Sequence, residues 1–88
     1  MSESYVIVIK KQAKKKLESL QRSVRARLID KINALGFDPD DPVLDVKRLV
    51  GDPYYRLRVG DWRIIFDRED TLKIISIEKI KPRGDVYK

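Results

Sequence analysis

Cysteine and histidine are both absent from the 88-residue sequence. Without cysteine there are no disulfides, no thiolate nucleophile and no cysteine metal ligands. Without histidine the chain lacks the side chain that most often moves protons near neutral pH and most often binds zinc. Ser-His and Cys-His nucleophilic catalysis are excluded, together with the common zinc hydrolases. Any catalysis must draw on arginine, lysine, tyrosine and carboxylates, and no metal or other cofactor is expected. Long apolar runs are missing too: none approaches the roughly 20 residues of a membrane-spanning helix. The start, "MSESYVIVIKK", has neither the basic residues nor the apolar length of a signal peptide. A cytoplasmic protein with no membrane association is expected.

What is present is positive charge. Lysine and arginine number 20 against 14 aspartates and glutamates, a net charge of +6. That excess points to an anionic partner, whether nucleic acid, an anionic surface or an acidic protein. The length is below that at which chains usually divide, so residues 1–88 are expected to form a single domain.

"YVIVI" (Tyr5 to Ile9) is apolar on both faces and reads as an interior strand. Ala13, Leu17 and Leu20 then recur at helical spacing, with Lys10, Lys11, Lys14, Lys15 and Lys16 forming a basic outer face. A solvated surface is the plainer account of those lysines. Val24, Leu28, Ile32 and Leu35 repeat the helical pattern, with Ser23 as N-cap and Gly36 as the stop. The gap between the two runs is short, which predicts an antiparallel helical hairpin. "FDPDDPVLD" reads as loop, and from Lys47 the period changes to two. Tyr55, Leu57 and Val59 alternate with Tyr54, Arg56 and Arg58. Trp62, Ile64 and Phe66 follow in the same rhythm, and "TLKIISIEKI" supplies a third strand. The expected fold is α+β in two layers: an N-terminal strand, the helical hairpin, then a three-stranded antiparallel meander with helices on one face.

Gly60-Asp61 between alternating runs predicts a two-residue hairpin turn. That turn pairs Val59 with Trp62, Leu57 with Ile64 and Tyr55 with Phe66, giving one apolar face. The other face then sets Arg58 directly against Arg63, with Arg56 two residues away. A following turn at Glu69-Asp70 would bring Ser76 beside Arg63 and Ile75 against Ile64. Like charges opposed across strands are destabilising. A solvated basic face remains possible, but a clamp for phosphate explains the juxtaposition, because each arginine offers a planar donor fork. In the tail, Pro82 and Gly84 flank Arg83, a turned path that would let Arg83 and Tyr87 fold back over this face. A terminal aromatic packed on the sheet is the simpler alternative for Tyr87.

"KRLVGDPYYRLRVGDWRIIF", the third strand and "IKPRGDVYK" together resemble the RelE/ParE superfamily of toxins from toxin–antitoxin pairs. The likeness spans nearly the whole chain. RelE-type members are ribosome-dependent ribonucleases, whereas ParE-type members poison DNA gyrase. Both share the hairpin, and the terminal Arg83 and Tyr87 favour the RelE type. The resemblance implies catalytic roles for Arg56, Arg58, Arg63, Arg83 and Tyr87. Lys47, Arg48, Lys79 and Lys81 complete the expected RNA-binding set. Some relatives carry lysines at the positions of Arg56 and Arg58; arginine cannot lose a proton in a protein, which moves any base role toward Tyr87.

The implied reaction is attack of an RNA 2′-OH on the adjacent phosphate, needing no metal. Arginines would stabilise the phosphate oxygens, worth on the order of 10²–10³ per placed donor, and would favour tyrosinate at Tyr87. Tyrosine titrates near ~10, so orientation of mRNA by the ribosome must supply much of the rate. The expected partners are an acidic RelB-like antitoxin and the ribosome with mRNA. A ParE-like gyrase poison, a basic module that binds without catalysis, and a remnant that keeps only the fold are the alternatives.

Overall fold

The computed structural model describes residues 4–82; Arg83 and Tyr87 lie outside them. The chain runs β1 (Val6–Ile9), α1 (Lys11–Ser19), α2 (Arg22–Phe37), β2 (Asp45–Arg48), β3 (Tyr55–Val59), β4 (Trp62–Glu69) and β5 (Ile74–Pro82). The strands form one sheet in the order β1-β5-β4-β3-β2. β2 to β5 are a continuous antiparallel meander, and β1 returns to pair parallel with β5.

The helices supply Ala13, Leu17, Leu28, Ile32 and Leu35 to the core, and the sheet supplies Leu57, Val59, Ile64, Phe66, Ile75, Ile77 and Ile80. Along β3 and β4 alternate residues point this way, as the period of two requires. Tyr55 and Phe66 stack at 5.5 Å between ring centroids, and Lys16 Nζ lies 5.8 Å from the Trp62 ring.

Five local expectations are corrected. β1 is an edge strand rather than an interior one, with Val6 62% exposed; its β-branched run matches a strand but does not say how many neighbours it has. Part of the presumed loop pairs as β2, because Asp45–Arg48 alternates in step with β3. Helix α2 begins at Arg22, which places Ser23 inside its first turn, with Gln21 as the capping residue. Gly36 is still helical. It is needed for close approach: a Cβ there would sit 2.9 Å from Ile7 Cδ1, and its carbonyl accepts the Tyr5 N–H at 2.7 Å. Finally, β4 and β5 close at Glu69 opposite Ile74, not at a tight Glu69-Asp70 turn. The longer turn includes Lys73 at φ 57°. The register then slips at a bulge that leaves Glu78 as the extra residue. Ile75, Ile77 and Ile80 can share one face only if the ladder skips a residue, and the bulge does this. Arg63 therefore lies opposite Lys81 rather than Ser76, and Ile64 opposite Ile80 rather than Ile75.

Candidate functional site

The sheet face turned away from the helices is organised in rows that cross the strands. The first row is Asp45, Arg58, Arg63 and Lys81; the second is Lys47, Arg56, Ile65 and Lys79. Neighbouring strands lie about 4.8 Å apart and same-face residues along a strand about 7 Å apart, so six cations converge on a patch two rows deep. The hairpin that opposes Arg58 and Arg63 is as expected, with Gly60 at φ 58° in its turn. The bulge in β5 adds Lys79 and Lys81 to the same face.

The arginines differ in environment. Arg58 keeps 47% of its side chain exposed, whereas Arg56 and Arg63 are buried at 5% and 7%. Arginine is rarely so covered unless it is held by partners. Asp45, which sequence reasoning passed over, contributes here: its carboxylate lies 3.7 Å from Arg56 Nη2 and 3.9 Å from Arg58 Nε. These contacts are long and Asp45 is half exposed, so they are weak and salt-sensitive. Only recognition of β2 as a strand would have exposed Asp45 as a neighbour of Arg58.

Arg48 does not join the cluster. Alternation sends it to the opposite face from Lys47, where its guanidinium lies 5.9 Å from the Tyr55 ring centroid. There it borders a cavity of about 320 Å³ together with Pro39, Pro42, Leu44, Val46 and Tyr55. Arg83 and Tyr87 belong to the residues not described.

A second ionic group is structural. Arg68 donates from Nη1 and Nη2 to the two carboxylate oxygens of Asp40 at 2.9 and 3.1 Å, and from Nε to Asp70 at 2.7 Å. Tyr5 donates its hydroxyl to Asp70 at 2.8 Å. The hydrogen bonds from Arg68 hold the Asp40 and Asp70 carboxyls below the ordinary carboxylate value. The same contacts, with Asp40 foremost, raise Arg68. The group ties three distant segments together on the helix side of the sheet.

The family model described as "ParE toxin of type II toxin-antitoxin system, parDE" matches residues 7–87. Solved structures agree in fold. The archaeal RelE–RelB complex from Pyrococcus horikoshii is 35% identical, with a TM-score of 0.80, covering 93% of this chain and 98% of that one. The RelB–RelE complex from Methanococcus jannaschii is 25% identical, with a TM-score of 0.73, covering 91% and 94%. The E. coli RelBE complex shares the fold at 18% identity and a TM-score of 0.75, covering 90% and 96%. No curated protein sequence matches the chain. A sheet that groups its cations behind a Gly-Asp hairpin, and a likeness that runs from the first strand into the tail, belong together: the chain is a member of the RelE/ParE superfamily of type II toxins.

Proposed function

We propose that this toxin is a ribosome-dependent endoribonuclease that cleaves mRNA and so stops translation. The observation that carries the reading is the pair of cationic rows, with Arg58 opposed to Arg63 and Lys81 beyond it. Such a surface fits a phosphodiester better than it fits itself. In the reaction, the 2′-oxygen gives up its proton and bonds to phosphorus, and the bond to the 5′-oxygen breaks. The departing oxygen takes a proton, leaving a 2′,3′-cyclic phosphate and a 5′-OH. Arg56, Arg58 and Arg63 stabilise the charge on the non-bridging oxygens. Lys47, Lys79 and Lys81 hold the flanking backbone. Arg83 is assigned to the phosphate and Tyr87 to proton transfer.

The Pyrococcus horikoshii and Methanococcus jannaschii relatives were solved as complexes with RelB antitoxins. With a charge of +6, this chain is suited to an acidic RelB-like antitoxin whose amphipathic segment covers the cationic face. Co-purification from the host is the check; recovery of the toxin alone and harmless would count against it.

Gyrase poisoning is the second reading, favoured by the family description as a parDE toxin. One experiment separates the two: induce the protein, map mRNA 5′ ends, and assay gyrase–DNA breaks in the same cells. Cyclic-phosphate-terminated mRNA fragments that vanish with Arg63→Ala support the ribonuclease. Gyrase-linked breaks with intact mRNA would overturn it.

A further inference from the structure

The row next to the cations is different in kind. Leu49 donates its N–H to the Tyr54 carbonyl at 3.0 Å, which extends the β2–β3 ladder by one pair and places Tyr54 on the arginine face, two residues from Arg56. Farther along this face, Asp67 pairs with Ser76 across β4 and β5. This stretch of the sheet has an aromatic, a carboxylate and a hydroxyl where the neighbouring rows have guanidinium and ammonium groups.

The other described aromatics are elsewhere. Tyr55, Trp62 and Tyr5 pack against the core, Phe66 is buried in it, and Phe37 ends α2. Tyr54 is thus the aromatic on the cationic face among the described residues, and it is half-buried. Its backbone is fixed from both sides. The Asp52 carboxylate accepts the Tyr54 N–H at 2.9 Å, and Gly51, at φ 73°, allows the loop to turn back.

We propose that Tyr54 is a stacking platform for one base of a single-stranded RNA whose phosphate lies over Arg56 and Arg58. This deepens the ribonuclease reading and rests on it. Single-strand binding sites combine a cationic track for the backbone with aromatic faces for bases, and these two elements stand here side by side. The ring sits about 7 Å along the strand from Arg56, so a nucleotide held by its phosphate on the cationic rows reaches Tyr54 with its base. A platform on a folded turn costs little ordering on binding. Arginine supplies affinity without regard to sequence; the base next to the phosphate is oriented by Tyr54.

The test uses the whole chain and short oligoribonucleotides made uncleavable by 2′-O-methylation. Each probe lacks one base in turn, and affinity is read by fluorescence anisotropy. For the parent, loss of one particular base should weaken binding roughly 5- to 150-fold, the usual value of a stacked base. Tyr54→Phe should keep that dependence. Tyr54→Leu and Tyr54→Ala, checked for folding by thermal melting, should lose it while binding the abasic probe as the parent does. Arg63→Ala should weaken every probe equally. Parent binding that is indifferent to every base, or base dependence that survives in Tyr54→Leu, overturns the platform and leaves the phosphate site standing. An Arg63→Ala variant with full affinity, beside an effect at Tyr54, overturns the phosphate site and keeps the platform. Absence of any binding by the parent overturns both.

Discussion

Asp45 is the only carboxylate on the first cationic row, and it competes with any phosphate for Arg56 and Arg58. Its removal should therefore strengthen RNA binding. We expect Asp45→Asn to tighten a single-stranded RNA by up to about fivefold at low salt, the upper range for an exposed ion pair. An anisotropy titration measures this, and unchanged or weaker binding would contradict the placement. Arg58→Ala should act the other way. On the proposed RNA-binding reading its half-exposed guanidinium neutralises one phosphate, so its loss should reduce the slope of log affinity against log salt by about one. Two neighbouring residues thus move the same measurement in opposite directions.

At the scale of elements, the apolar face of the hairpin carries stability and the opposite face carries charge. Leu57 and Ile64 face each other, fully buried. Leu57→Ala or Ile64→Ala should each cost about 2–5 kcal/mol in denaturant unfolding, and a loss near zero would reverse the faces assigned to the sheet. Gly60→Ala should cost about 1 kcal/mol, because an L-residue at φ 58° is strained; its Cβ would also come 2.7 Å from Arg27 Nη2. The hairpin was legible because Gly-Asp and strict alternation leave one register. The opposition of Arg58 and Arg63 followed directly, and with it the heart of the candidate site. β2 was hidden by its two prolines and three aspartates upstream, which are turn formers, and its four residues are too few to show a period. The β4–β5 register was hidden because a bulge is set by packing of Ile80 beneath the helices, not by a turn residue nearby. Lys79 and Lys81 were expected among the RNA-binding residues, but their partners across β4 came only from the fold.

At the scale of the whole molecule, the Arg68 group joins the Asp40 loop, the β4–β5 turn and the residue just before β1. Both carboxyls have native pKa values below the unfolded value of 3.8. A depressed native pKa stabilises the fold above the unfolded value, and that stabilisation is lost as pH falls through the native one. The melting temperature should thus hold near neutrality and drop as pH passes below about 4. In Asp40→Asn the drop should be shallower, because one of the two titrating carboxyls is gone. Equal acid profiles for parent and variant would remove the Asp40–Arg68 pair from the account. The exposure of both carboxylates limits the size of the effect.

The parallel pairing of β1 with β5 joins Val6 to Ile74 and Ile9 to Ile77. Synthesis runs from the N-terminus, so of the five described strands β1 is made first and its hydrogen-bonding neighbour β5 last. Until β5 has left the exit tunnel, β4 lacks one of its two neighbours, and Lys79 and Lys81 are not yet opposite Ile65 and Arg63. The cationic face is therefore assembled only once β5, the last of the described strands, has been made. A nascent chain that has not yet exposed β5 holds no finished cationic face. Topology sets a delay between translation of β1 and completion of the cationic face.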